Sequence, residues 1–153
     1  MIKYCIDKWN KNRDKLEEAL MKDSTLNCCD YHHLVKMVVK YILNDEDSGY
    51  GKNWDADNIT EIDNGNYQGT LLFIIPADTY QPSEYEYLMT YVRYGSCSVC
   101  DTLQSIRGWG DEPITPEQIK DFMGLCKDLV TNMIKPYNTG WRASSDFEVV
   151  SGV

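Results

Sequence analysis

The spacing of apolar residues predicts two amphipathic helices in the first third of the chain. The first runs from about Ile6 to Met21, and its positions at helical spacing are Ile6, Trp9, Arg13, Leu16, Ala19 and Leu20. The second runs from about Cys28 to Leu43, with an apolar stripe at Tyr31, Leu34, Val35, Val38 and Ile42. Steps of three and four residues place each stripe on one helix face, so we expect both helices to cover a common core.

The middle of the chain has the short apolar runs and the turn residues that are typical of β-strands. We predict strands at 58–62, 67–75 and 85–94. The pair Asn64-Gly65 between the first two strands is a strong hairpin signal, because both residues tolerate positive φ. Alternation along the third strand places five side chains on one face, namely Tyr85, Tyr87, Met89, Tyr91 and Arg93.

Two more helices are predicted in the last third, a short one over about 99–106 and a longer one that ends near Lys135. The longer helix begins with a capping-box pattern, in which Thr115 is the N-cap, Pro116 takes the first helical position and Gln118 follows three residues after the cap. The order of elements predicts an α+β fold. In this fold a three-stranded antiparallel meander packs against two N-terminal and two C-terminal helices.

The size of the chain, 153 residues, predicts a single domain over 1–153 with an extended C-terminal tail at 137–153. No apolar run approaches the roughly 20 residues that a membrane span needs, so no membrane association is expected. Residues 1–9 contain no apolar signal-peptide core. We therefore expect a cytoplasmic protein, whose six cysteines are reduced.

Charge is the strongest compositional signal, with a formal net charge of −9. Between Asp45 and Asp63 the only basic residue is Lys52. The candidate partner-binding acids of this run are Asp45, Glu46, Asp47, Asp55 and Asp57. Such a surface repels phosphate backbones, which disfavours direct nucleic-acid binding and favours a protein partner with a basic surface. The alternative is a solvated loop that only aids solubility.

Tyrosine is abundant, with eleven residues in the chain, and several of them cluster around the third predicted strand. Tyr85, Tyr87 and Tyr91 are candidates for a docking surface, because tyrosine supplies a broad contact area at low entropic cost. The alternative is that these rings cover the core and leave only their hydroxyl groups at the rim.

The segment from Tyr94 to Gln104 reads Tyr-Gly-Ser-Cys-Ser-Val-Cys-Asp-Thr-Leu-Gln and joins a predicted strand to a predicted helix. Together with the runs 67–76 and 80–82, this string resembles a group of small bacteriophage and prophage proteins for which no activity is known. The resemblance covers about the central third of the chain. It implies a phage accessory protein that works in the cytoplasm of a bacterial host, and it implies no role for any single residue.

Three interpretations of Cys97 and Cys100 stay open at this point. In the first, Ser98 caps the following helix, Asp101 is its capping-box partner, and both cysteines are small core residues. In the second, the thiols form half of a zinc site, and the other half comes from an i, i+4 pair on the second helix, Cys29 with His33 or Cys28 with His32. In the third, Cys97 is a redox nucleophile at a helix N-terminus.

No nucleotide-binding loop, calcium loop or catalytic triad is recognisable, so we assign no catalytic residue and no required cofactor. The sequence predicts a non-enzymatic protein that docks on a partner through its acidic and tyrosine-rich surface. Carboxylates that occupy a basic groove would make it an inhibitor of nucleic-acid-handling or defence machinery. The alternative is a zinc-binding or thiol-active protein centred on Cys97 and Cys100.

Overall fold

The structure is a computed structural model that describes residues 2–45, 53–97, 101–107, 112–136 and 147–149. Two layers build the fold, with helices that cover one face of an antiparallel sheet. The predicted α+β class, with helices before and after the first strands, is confirmed. The buried apolar side chains form one continuous cluster between the two layers.

Both N-terminal helices form close to their predicted positions. Helix α1 spans Ile2–Lys22 and helix α2 spans Tyr31–Val38. The start of α2 is later than predicted, because the Asp30 side chain caps the helix there and accepts a hydrogen bond from the His33 N–H at 2.9 Å. A separate 3-10 turn, Leu26–Cys28, precedes the cap. The helix therefore does not carry the two cysteines that the sequence pattern placed on its first turn.

Helix α2 continues as a π-helical turn over Val39–Leu43. The Asn44 N–H donates to the Val39 carbonyl, five residues back, at 3.0 Å. The Ile42 carbonyl accepts a hydrogen bond from Asn12 Nδ2 of α1 at 2.8 Å, and Asn12 is fully buried. A polar side chain from the neighbouring helix thus satisfies a backbone acceptor at the turn, which is a recognised setting for a π-bulge.

The C-terminal helices are α3, Thr102–Ile106, and α4, Pro116–Thr131. The predicted capping box of α4 is confirmed. The Gln118 N–H donates to Thr115 Oγ1 at 3.2 Å, and the Thr115 N–H donates to Gln118 Oε1 at 2.8 Å. This reciprocal pair fixes the start of α4 at the residue that the sequence indicated.

Within the described residues the sheet has five strands rather than the predicted three, and neighbours in the chain are neighbours in the sheet. The strands are β1 Thr60–Asp63, β2 Gly69–Pro76, β3 Tyr87–Tyr94, β4 Ile134–Pro136 and β5 Phe147–Val149. All of the pairings are antiparallel. The meander of the prediction is β1 to β3, and two short strands extend it.

The two additional strands come from segments that were predicted as helix end and tail. Helix α4 ends at Thr131 instead of near Lys135, and Ile134 then pairs with Met89 of β3. The apolar spacing continues helically as far as Ile134, but pairing with a strand that lies far away in sequence decides its conformation. Strand β5 lies inside the predicted tail 137–153, whose other residues are outside the described part of the chain.

The hairpin between β1 and β2 is confirmed, but its loop is longer than a two-residue Asn-Gly turn. The Asn64 N–H donates to the Thr70 carbonyl at 3.2 Å, and Asn64 Oδ1 accepts from the Thr70 N–H at 2.8 Å. A Cβ atom on Gly65 would lie 2.1 Å from the Gln68 carbonyl oxygen, so only glycine fits there. This loop geometry sets the strand register that positions β1.

Alternation along β2 and β3 separates two faces of the sheet. Phe73 and Leu88 are fully buried on the inner face. This face meets the helices, since Thr90 Oγ1 donates to the Leu129 carbonyl of α4 at 2.6 Å and the His32 ring of α2 packs edge-on against Phe73. The opposite side, called the outer face below, carries half-buried side chains at Leu72, Ile74, Tyr87, Met89 and Tyr91 and the exposed Ile62. Among the described helices, none has the length and apolar character of a membrane span.

Candidate functional site

Asp45 begins the acidic run that was predicted to bind a partner, but the structure buries it. The residue is 7% exposed, and one carboxylate oxygen pairs with the Lys8 ammonium group of α1. Lys11 Nζ lies 3.5 Å from the same oxygen, and Asn12 Nδ2 donates to the other at 3.1 Å. Asp45 therefore joins α1 to the end of α2 and is not available to a partner, which corrects its assignment to the binding surface.

The cluster around Asp45 keeps its carboxylate ionised. The hydrogen bond from Lys8 lowers the pKa of the Asp45 carboxyl below its ordinary value, and the bond from Asn12 acts in the same direction against the effect of burial. A buried carboxylate is tolerated only where charge and hydrogen bonds compensate it, and both are present here. The role of this aspartate is therefore structural.

The later acids of the run lie at the surface. Asp55 accepts a hydrogen bond from the Asp57 N–H at 3.0 Å, which shapes the turn before β1. The Asp57 side chain is 80% exposed, and its contact with Lys36 Nζ at 3.1 Å is a solvated ion pair that contributes little to stability. Glu46 and Asp47 lie outside the described residues. Of the predicted acids, Asp55 and Asp57 are thus placed where a partner can reach them.

The acidic surplus is a property of the whole sheet region. Residues 53–97, which contain β1 to β3, carry seven acidic side chains and one basic side chain, Arg93. Residues 2–45 carry seven acidic and eight basic side chains, so their charges balance. Three of these acids follow β2 and were not among the predicted residues, namely Asp78, Glu84 and Glu86. A charge count over the full segment, instead of the run that ends at Asp63, would have found them.

The predicted docking tyrosines lie beside these acids. Tyr85 is 51% exposed, and Tyr80, which was not among the predicted residues, is 96% exposed. Tyr87 and Tyr91 are half-buried on the outer face, on the side of the sheet away from the helices. Tyr80, Tyr87 and Asp55 also line a shallow groove of about 290 Å³ at the end of β2. Rings and carboxylates therefore share one end of the sheet.

Asp63 and Tyr94 form a second exposed feature at the edge of the sheet. The Tyr94 hydroxyl donates to Asp63 Oδ1 at 2.5 Å, and the Gly65 N–H donates to the same atom at 2.9 Å. The bond from Tyr94 lowers the pKa of the Asp63 carboxyl, and the carboxylate in turn raises the pKa of Tyr94 to about 12. In the described part of the chain, Asp63 forms no ion pair, so its charge is not neutralised.

Asp101 is a centre of hydrogen bonding for the described residues between Tyr94 and Gln104. This aspartate is 4% exposed and caps α3, where its Oδ1 accepts from the Gln104 N–H at 3.0 Å and from the Tyr31 hydroxyl at 2.9 Å. Its Oδ2 accepts from the Gly95 N–H at 2.9 Å, and Gln104 Nε2 donates to the Gly95 carbonyl at 3.1 Å. Asp101, and not the predicted Ser98, therefore caps α3, which starts at Thr102, and Ser98 itself lies outside the described residues.

This arrangement occupies two of the N–H donors on which the thiol interpretation depends. The N–H groups of Leu103 and Gln104 donate to the Tyr31 hydroxyl and to Asp101, so these two donors at the start of α3 are not free to stabilise a thiolate. Cys97 is exposed, and Cys100 lies outside the described residues. The polar residues of the string therefore have a structural explanation that does not involve its cysteines.

The residues proposed for the other half of a zinc site do not share a helix turn. Cys29 lies before the Asp30 cap in extended conformation, is 5% exposed, and burial raises the pKa of its thiol to about 12. His33 Nε2 lies 2.5 Å from Asp23 Oδ2. Among the described residues no group of three or more metal-binding side chains is found. Because Cys100 lies outside the described residues, the zinc alternative stays a prediction. Elemental analysis of the purified protein would decide it.

Comparison with known proteins adds no assignment. No family model, curated protein sequence or solved structure matches the chain.

Proposed function

We propose that this chain is a phage-encoded accessory protein that works in the cytoplasm of a bacterial host by binding a protein with a basic surface. In this proposal it is an inhibitor of nucleic-acid-handling or defence machinery and catalyses no reaction. The observation that carries the proposal is the charge of residues 53–97, where seven acidic side chains accompany one basic side chain.

The state of the individual carboxylates supports binding through this region. Asp57 and Asp63 are exposed, and neither is held in a buried ion pair of the kind that neutralises Asp45. Asp78 and Glu84 are exposed as well. Because exposed charges of one sign repel each other, they gain free energy when a basic surface approaches.

The mechanism that we propose is competition for a phosphate-binding groove. Lysine and arginine side chains that normally contact a nucleic-acid backbone would bind these carboxylates instead. The exposed rings of Tyr80 and Tyr85 would add apolar contact area next to the charges, since tyrosine is enriched in protein interfaces. Charge would thus attract the partner, and the rings would lengthen the lifetime of the complex.

A pair of matched variants tests the proposal. The first neutralises four acids of the sheet region, with the changes Asp55→Asn, Asp57→Asn, Asp78→Asn and Glu84→Gln. The control neutralises four exposed acids of α1 and α4 and so has the same net charge, with the changes Asp7→Asn, Asp14→Asn, Asp121→Asn and Asp128→Asn. Wild type and both variants are used as immobilised baits in host lysate, and the captured proteins are identified and then titrated in purified form.

We expect a basic protein whose affinity for the sheet-region variant falls by about tenfold or more while its affinity for the control stays within about threefold. Binding should also weaken steeply between about 50 and about 500 mM salt, because exposed charges are screened over that range. Equal losses in both variants, or binding that does not depend on salt, would refute the proposal.

A further inference from the structure

Strand β1 is an edge of the sheet, and half of its backbone groups point away from β2. The hydrogen bond between the Asn64 N–H and the Thr70 carbonyl fixes which half, because bonded pairs alternate along an antiparallel ladder. Because Asn64 is a bonded position, the backbone N–H and C=O groups of Thr60 and Ile62 also point toward β2. The N–H and C=O groups of Glu61 and Asp63 therefore face outward, and no described residue hydrogen-bonds to them.

The side chains of this edge are sorted between the two sides of the sheet. Glu61 and Asp63 lie opposite Phe73 and Leu71 and so project on the side of the helices. Thr60 and Ile62 project on the outer face, where Ile62 is 46% exposed. An added strand would thus find carboxylates on one side and an apolar residue on the other.

Charge identifies the occupant of this edge. A second copy of the chain that paired through β1 would bring Glu61 and Asp63 close to the same acids of the first copy, and like charges across a strand pair destabilise it. Asp63 has no ion-pair partner among the described residues, and Glu61 has only the His32 ring, at 3.7 Å. The edge therefore repels itself and is complementary to lysine or arginine.

We propose that β1 is a docking edge for an extended segment of the partner, in which lysine or arginine alternates with apolar residues. The basic residues lie opposite Glu61 and Asp63, and the apolar residues lie beside Ile62 on the outer face. This inference rests on the proposed function, since it takes the partner to be basic. It adds the mode of binding, which is addition of a strand to the sheet.

The probe that tests it is an eight-residue peptide that alternates lysine and valine, titrated into the full chain. A composition-matched peptide with four lysines followed by four valines is the control for charge alone. Amide hydrogen exchange is then followed by NMR at the four residues of β1. We expect the N–H groups of Glu61 and Asp63 to exchange at least about tenfold more slowly with the alternating peptide, whereas Thr60 and Ile62, already bonded to β2, change little.

Variants of the chain separate backbone pairing from charge. Glu61→Gln removes the charge but keeps the outward N–H, while Glu61→Pro removes both and is compatible with an edge position whose N–H faces solvent. We expect Glu61→Gln to weaken peptide binding by about threefold and Glu61→Pro by about tenfold more. Two peptides with methylated backbone nitrogens make the same test on the wild-type chain, one methylated at all lysines and the other at all valines. Because only alternate N–H groups of an added strand point toward β1, one of the two peptides must lose binding.

The outcomes distinguish the two proposals. If both methylated peptides and the block peptide bind as well as the parent, and no β1 amide is protected, strand addition is refuted while salt-dependent binding still supports the proposed function. If neither the peptide nor any basic protein binds, both proposals fail.

Discussion

Two pairs of aspartates show how differently one residue type is used in this fold. Asp45 and Asp101 lie next to helix ends, are less than a tenth exposed, and hold together elements that are far apart in sequence. Asp57 and Asp63 lie in the sheet region, are exposed, and make their contacts with Lys36 and Tyr94 at the protein surface. The contrast shows that an acidic run in a sequence does not define one surface, because its members can belong to the core and to the solvent.

The largest effect that would test this contrast is expected from Asp101→Ala. The substitution leaves the Tyr31 hydroxyl and the N–H groups of Gly95 and Gln104 without their acceptor. Loss of the cap and of these buried bonds should reduce the free energy of unfolding by about 4 kcal/mol. Urea unfolding measures it, with Asp101→Asn as a control that keeps one acceptor oxygen. A loss below about 1 kcal/mol would show that water replaces the carboxylate.

Asp45→Asn should have the next largest effect and lower the free energy of unfolding by about 3 kcal/mol. The reason is that the partly buried Lys8 ammonium group loses the negative charge that compensates it. The matched substitution is Asp57→Asn, which removes an exposed ion pair and should change stability by no more than about 0.5 kcal/mol. Equal losses in the two variants would remove the distinction between the buried and the exposed acids.

The stability gap between wild type and Asp45→Asn should depend on pH. The folded-state pKa of Asp45 lies below the unfolded value of about 4, so its contribution is complete above about pH 5 and is lost as the pH falls through the folded pKa. We therefore expect the gap to shrink steadily below about pH 4. Unfolding curves for both proteins between about pH 2 and about pH 7 provide the measurement, and a gap that stays constant would contradict the lowered pKa.

The smallest effect is expected at the exposed pair, where Asp63→Asn should alter a titration instead of the fold. The Asp63 carboxylate raises the pKa of Tyr94 to about 12, and an amide in its place removes the charge that opposes the phenolate. One of the tyrosine resonances should then titrate closer to its ordinary value of 10.0, with the other resonances as internal controls. No change in any tyrosine pKa would mean that the bond is absent in solution.

Local patterns predicted the parts of the fold that local interactions determine. Helix α1 and the Thr115–Gln118 capping box both appear as expected, because the partners are within a few residues of each other. The predicted stripe of α1 is confirmed only in part, since Ile6 and Arg13 are exposed and Cys5 and Asn12 are buried in their place. Strand β4 was not predicted, because its conformation depends on pairing between Ile134 and Met89, which lies 45 residues earlier in the chain. Residues near Ile134 fit a helix equally well, and only the assembled sheet decides between the two.

The candidate site was predictable to a similar extent. Asp57 and Tyr85 are exposed and Asp55 is half-buried, which agrees with the polar composition of their loops, while their role in binding stays a prediction. Asp45 belongs to the same run, but its partner Lys8 is 37 residues earlier, so no window around Asp45 contains the information. The choice between Ser98 and Asp101 as helix cap is also non-local. Each is followed at the right spacing by a polar residue, and the Tyr31 hydroxyl decides in favour of Asp101.

The π-helical turn at Val39–Leu43 has a consequence for evolution by insertion and deletion. Loss of one residue from this turn would restore ordinary helical phase and rotate everything after it by about 100° around the helix axis. Asp45 would then point away from Lys8 and Asn12, which leaves an unpaired cation and a stranded amide inside the protein. The additional residue of the π-helical turn and the contacts of Asp45 with Lys8 and Asn12 therefore depend on each other. We expect related chains whose second helix is one residue shorter to lack these contacts as well.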